Sequence, residues 1–211
     1  EIYGDAGNDS VDGGDGADSL QDSEGNNTAR GGAGNDTIYG AGLIDGGSDN
    51  DSLYYYGKSY YDYSNVNVAP TVYGGAGNDV IAEWYDANFN GILLDGGDGN
   101  DTINGSGYGD SILGGTGDDS ITANGGNDTI DGGDGANIAR YRGSRSQYSV
   151  VGDAAGFTIY DNRSGTPDGI DVVRNISVLR FSDQDVSVES GLTGVLLEGR
   201  SEEHTSELQS H

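Results

Sequence analysis

The sequence predicts an all-β fold, a parallel solenoid wound from nine-residue units, and three observations predict it. Residues 96–140 divide into five consecutive units, GGDGNDTIN, GSGYGDSIL, GGTGDDSIT, ANGGNDTID and GGDGANIAR. Their sixth position carries Asp101, Asp110, Asp119 and Asp128, then Asn137, while the eighth carries Ile103, Ile112, Ile121 and Ile130, then Ala139. Glycine crowds the first four positions, and 40 glycines occur among the 211 residues. A fixed period this short signals a stacked coil whose unit is one turn and one short strand.

The residue types follow from that geometry. Strand side chains alternate between faces, so of the last three positions only the eighth points inward. Glycines at positions one, two and four are expected to take positive φ and to bring backbone carbonyls together. One aliphatic per nine residues is a thin core, and its burial falls short of the backbone entropy of ordering the unit. Calcium can supply the deficit. It takes about 6–8 oxygen ligands in flexible geometry, and glycine carbonyls beside one fixed Asp offer such a set. A Gly/Asp-rich linker would have no reason to hold an aliphatic at every ninth position.

On these residues the units resemble the RTX (haemolysin-type) calcium-binding nonapeptide repeat. The resemblance implies a parallel β-roll in which two consecutive units make one coil. It also implies an ion between the turns of each unit and the next but one. That pairing joins Asp101 with Asp119, Asp110 with Asp128, and Asp119 with the weaker Asn137.

From the N-terminus, GDAGNDSVD, GGDGADSLQ, DSEGNNTAR and GGAGNDTIY (4–39) stand in register, with Asp9, Asp18 and Asp36 at position six. The third is degenerate, with Asn27 at position six and Ala29 inward. A good site is therefore expected from Asp18 with Asp36, and a poorer one from Asp9 with Asn27. GAGLID (40–45) is a shortened turn. GGSDNDSLY (46–54) restores Asp51, although Asp49 replaces its fourth glycine. Residues 55–73 and 83–95 read as insertions, separated by GGAGNDVIA (74–82) with Asp79. The coil is expected to continue past them, with the side of each turn left open. The metal ligands expected overall are Asp9, Asp18, Asp36, Asp51, Asp79, Asp101, Asp110, Asp119 and Asp128, holding about five to eight calcium ions between them.

Tyr54, Tyr55, Tyr56, Tyr60, Tyr61 and Tyr63 crowd the first insertion, with Trp84 and Tyr85 near the second. Two readings compete. The rings cover the coil where calcium turns are missing, which is favoured, or they form an adhesive surface for a glycan or cell-surface partner.

Residues 1–139 form the roll, and composition changes after them. The roll carries 25 acids against Arg30 and Lys58, whereas residues 140–199 carry 8 acids against six arginines. Tyr148–Val151 and Phe157–Tyr160 flank a turn and read as a hairpin. The stretch 169–188 follows, with Val178, Leu179, Phe181 and Val186 as its apolar residues. This region, 140–199, is similar to the module that follows RTX repeats in many type I secreted proteins. It is read as a β cap, which an open solenoid end requires. Residues 200–211 (RSEEHTSELQSH) resemble a translated sequencing-adapter read, are set outside the fold, and are expected to be disordered.

Several functions are excluded. Both histidines, His204 and His211, fall in that tail, and neither an H-E-x-x-H nor a G-x-S-x-G signature occurs. EF-hand spacing fails as well, so no catalytic residue and no enzyme activity are expected in this segment. Position three holds no rank of Thr, which argues against ice binding. A net charge of −27 leaves no nucleic-acid partner expected, and no apolar run approaches the roughly 20 residues of a membrane span. There is no cysteine, hence no disulfide framework. The chain starts without Met, inside a repeat, and is expected to be a piece of a longer secreted protein, monomeric and exported by type I machinery.

Overall fold

The computed structural model describes residues 1–56, 69–85, 91–153, 156–165 and 168–188. The tail 200–211 lies outside them, as do Tyr60, Tyr61 and Tyr63 of the tyrosine-rich insertion. Among the described residues all regular structure is β apart from one turn of 3-10 helix, Arg145–Gln147.

The chain winds as a parallel β-roll with two stacks of strands facing each other. In one stack Ile2–Tyr3 pairs with the start of Ser19–Ala33, which pairs with the start of Thr37–Ser48. The stack then continues through Ser52–Tyr56, Val80–Tyr85, Thr102–Asn104, Ser120–Thr122, Ile138–Arg140 and Val178–Arg180. In the other, Ser10–Asp15 pairs with the far half of Ser19–Ala33, which pairs with the far half of Thr37–Ser48. Thr71–Ala76, Leu93–Asp98, Ser111–Thr116, Thr129–Asp131 and Ile170–Arg174 extend that stack.

The register places the eighth position of every unit in one of two facing ranks. Leu20, Ile38, Leu53, Ile81, Ile103, Ile121, Ala139 and Leu179 form the first rank, and Val11, Ala29, Ile44, Val72, Leu94, Ile112, Ile130 and Val173 the second. All are buried. The single inward residue expected of each unit is what builds the core.

Two edges join the stacks. Along the first edge run the turns closed by Asp18, Asp36, Asp51, Asp79, Asp101, Asp119 and Asn137, without interruption. Every break in the sequence period falls on the second edge: the short turn 40–42 and the two insertions. The turn side never switches, because each break replaces a single second-edge turn and the following strand returns to its own stack. Where repeat turns are missing from this edge, Tyr55 and Ile92 are fully buried, and the Tyr55 hydroxyl donates to the Asn104 carbonyl at 3.0 Å.

The cap grows out of both stacks. Tyr148–Asp153 and Gly156–Asp161 form the expected hairpin, which pairs antiparallel with Ile170–Arg174. Asp185–Ser187 closes the other stack against Val178–Arg180. Tyr141, Tyr148 and Phe181 pack ring against ring over the end of the core. Of the arginines that follow the repeats, Arg142 pairs with the buried Asp168 at 2.6 Å, and Arg163 holds both Asp161 and Asp168.

Candidate metal centre

Each first-edge turn is tied to the next through its sixth residue. The backbone N–H of Asp18 donates to Asp36 Oδ1 at 2.8 Å, and that of Asp36 to Asp51 Oδ1 at 2.8 Å. The chain of bonds continues from Asp51 to Asp79 at 2.7 Å, Asp79 to Asp101 at 2.8 Å, Asp101 to Asp119 at 2.9 Å and Asp119 to Asn137 at 2.9 Å. On the second edge Asp9 N–H donates to Asn27 Oδ1 at 2.9 Å, Asp110 to Asp128 at 2.7 Å and Asp128 to Asp171 at 3.1 Å. The partners that the family resemblance implies are thus brought together, and so are Asp36, Asp51, Asp79 and Asp101 across the register breaks.

Wherever a carboxylate accepts one of these bonds it does so through Oδ1 and leaves Oδ2. Oδ2 of Asp9, Asp18, Asp36, Asp51, Asp79, Asp101, Asp119 and Asp128 is buried with no hydrogen-bond partner. An ionised oxygen in that position is costly unless a cation faces it. Asp110 is the exception among the nine expected ligands. Ser106, standing where most units have their second glycine, donates its backbone N–H to Asp110 Oδ2 at 2.7 Å and its hydroxyl to the same oxygen at 3.0 Å.

Backbone oxygens converge on the same points. A Cβ added at Gly46 would lie 2.5 Å from both Asp51 Oδ2 and the Gly74 carbonyl oxygen. At Gly31, Gly74, Gly96 and Gly114 an added Cβ would likewise collide with the carboxylate of its own unit and the carbonyl of the next coil. Position one is therefore glycine for want of space, and not for positive φ as expected from the sequence. Positive φ belongs to positions two and four, as at Gly97 (101°) and Gly99 (131°). Asp49 takes the same left-handed conformation at a φ of 77°, so its loop keeps the shape of the others.

Burial pushes the carboxylates up. Asp51 and Asp101 rise to about 7, first through desolvation and then through neighbouring carboxylates, with a backbone N–H opposing. Asp36, Asp79 and Asp119 rise for the same leading reason. Asp128 and Asp171, buried side by side, are both raised. Among the described residues no three His, Asp or Glu side chains converge on one point. The donor set at each turn is one carboxylate and several carbonyls, all hard oxygens. That set suits calcium, and suits magnesium less, which keeps its own waters and demands octahedral geometry.

Three features escaped the sequence reading. Asp171 stands in the cap, yet it completes the second-edge column, because Gly169, Ile170 and Asp171 take the fourth, fifth and sixth places of a repeat turn. Gly169 has a φ of 93° and stacks on Gly126, and Ile170 N–H donates to Asn127 Oδ1 at 2.9 Å. The G-x-D-x-V string at 169–173 was the available signal. The fifth position forms a polar ladder of its own on the first edge, through Asn35, Asn50, Asn78, Asn100 and Asp118. The third feature is Asp22, a fully buried acid at the first position of the degenerate unit.

Comparison with known families agrees with this geometry. The model of the RTX calcium-binding nonapeptide repeat matches residues 1–20, 12–42, 71–82, 93–107 and 104–139. The unmatched stretches between 42 and 93 are those that contain the second-edge insertions. A search of curated proteins finds no match.

Proposed function

By its repeats the chain belongs to the RTX calcium-binding nonapeptide family, and on that premise we propose that it is a calcium-dependent folding segment. In this reading it is a non-catalytic part of a larger secreted protein. The observation that carries it is the column of buried, unpartnered Oδ2 atoms opposite the carbonyls of the next coil. Asp9, Asp18, Asp36, Asp51, Asp79, Asp101, Asp110, Asp119 and Asp128 would each give a carboxylate, with Asp110 the weakest because Ser106 already occupies it. Glycine carbonyls would complete each shell.

The mechanism is linkage. At low calcium the facing carboxylates repel one another and the thin core cannot hold the coil, so the chain stays extended, as export by a type I system requires. Outside the cell calcium reaches about the millimolar range that suits weak extracellular sites. A ligand that binds only the folded state stabilises it by about 1.4 kcal/mol per site at ten times Kd. Several shared sites then fold the roll cooperatively.

The test is far-UV circular dichroism of chelated protein titrated with calcium, with magnesium as control. A cooperative coil-to-β transition with calcium alone is expected. A β spectrum indifferent to chelator would refute the reading.

A second reading, adhesion to a glycan, has one observation in its favour. On the outer face of the roll Tyr39 and Tyr54 stack at 4.8 Å and Trp84 stands edge-on to both, half exposed. Loss of glycan or cell binding in Trp84→Ala, with the calcium-loaded spectrum unchanged, would support it.

A further inference from the structure

Asp22 opens the unit DSEGNNTAR, at a position that is glycine in most of the other units. An acid there should point to solvent. Instead it is fully buried, and its Oδ2 has no hydrogen-bond partner. Nine aspartates carry that mark among the described residues, and eight of them are the sixth-position acids of repeat turns. The ninth is Asp22.

Its surroundings explain the coincidence. A Cβ added at Gly4, one coil earlier, would run into the Asp22 carboxyl group. At Gly46 the same space is shared by Asp51 Oδ2 and a carbonyl of the next coil. Asp22 therefore puts its carboxylate into the cradle that a sixth-position Asp fills elsewhere. The sixth residue of its own unit, Asn27, cannot serve as the acid. Its Oδ1 accepts the Asp9 N–H at 2.9 Å, and its Nδ2 donates to Asp22 Oδ1 at 2.6 Å. The amide thus orients Asp22 and leaves its Oδ2 unpaired, as is Oδ2 of Asp9 in the turn that Asn27 contacts, and the Asp9 charge acts on Asp22. Asn137, the other amide at position six, has no such companion; its Nδ2 points to the Asn175 carbonyl at 3.1 Å.

We propose that Asp22 is a calcium ligand outside the repeat pattern, replacing the carboxylate that Asn27 lacks and forming a site with Asp9. The site rests on the calcium reading above. It makes the degenerate third unit a functional one whose acid has moved from the sixth position to the first. The site between the first and third units then holds two carboxylates, Asp9 and Asp22, as a pair of regular units would.

Native mass spectrometry of the calcium-loaded full chain counts the ions directly. Asp22→Gly restores the repeat's own first residue and should improve the unit if Asp22 is merely tolerated. On the proposal it binds one calcium fewer than the parent, and adding Asn27→Asp to it returns the count. Asp22→Asn, close in shape, also loses one ion and covers the case in which the glycine variant does not fold. An unchanged count in Asp22→Gly or Asp22→Asn overturns the proposal. A parent chain that binds no calcium overturns the folding-segment reading instead, so the two failures are distinguishable.

Discussion

At the scale of single residues, Asp101 shows why these acids stand where they do. Its Oδ1 accepts a backbone N–H and its Oδ2 accepts none, while burial holds its pKa near 7. Asp101→Asn keeps the shape and the Oδ1 bond but removes the charge. It should lower the melting temperature in calcium and raise the β content of the chelated protein at neutral pH, since the metal-free fold is relieved of a buried charge. Thermal melts in calcium and circular dichroism in chelator check this, and a variant that loses structure in both conditions would argue against metal ligation. Asp49 offers a test of the backbone. A non-glycine residue in the left-handed region costs roughly 1–2 kcal/mol, partly recovered by Asp through local hydrogen bonding. Asp49→Gly should therefore stabilise the calcium-loaded roll by up to about 1 kcal/mol, read from denaturant unfolding in calcium.

At the scale of elements, the two edges have divided the work. The first edge repeats one turn without a break, whereas the second absorbs a short turn and two insertions. Its gap is filled by hydrophobic side chains in place of repeat turns. Tyr55 is the main plug, fully buried with its hydroxyl on the Asn104 carbonyl. Removing a buried aromatic costs about 3–5 kcal/mol, so Tyr55→Ala should destabilise the calcium-loaded roll by that amount while leaving the calcium count unchanged. Denaturant melts and ion counting together check it. A lost ion would mean that the plug also shapes the neighbouring Asp110 turn. Tyr55 bears out, for one ring of the cluster, the reading that tyrosines cover the coil where its turns fail. Tyr54 instead joins the outer aromatic face.

At the scale of the whole molecule, charge and pH decide stability. Asp51 and Asp101 in the metal-free fold titrate near 7, and Asp36, Asp79 and Asp119 are raised, against an ordinary value near 3.9 in an unfolded chain. The folded state thus holds protons that the unfolded state has lost. Stability of the metal-free roll is greatest below about pH 4 and falls as pH rises through about 7. Chelated protein should gain β structure when taken from pH 7.5 to 4.5, while its apparent calcium affinity falls, because protons and calcium compete for the same oxygens. Circular dichroism at the two pH values, with and without calcium, checks both halves.

Much of this was legible in the sequence because the repeat is local. A nine-residue period with one inward aliphatic specifies turn, strand and core together, and so the inward places of Ile103 and Ile112 follow from counting, while the pairing of Asp101 with Asp119 comes from the family resemblance. What the period could not carry is whatever depends on residues distant in the chain. Asp171 joins the second-edge column only because the cap hairpin returns Ile170–Arg174 beside Thr129–Asp131. The breaks at 40–45, 55–73 and 83–95 all fall on one edge, and only the pairing of strands across them decided that. Asp22 stands in a unit whose degeneracy is read from Asn27 and Ala29 alone; its burial in the cradle over Gly4 is set by the coil before it. The sequence by itself determined the coil, since local spacing dictates backbone geometry. Tertiary structure decided which oxygens share a site, since that depends on which turns stack.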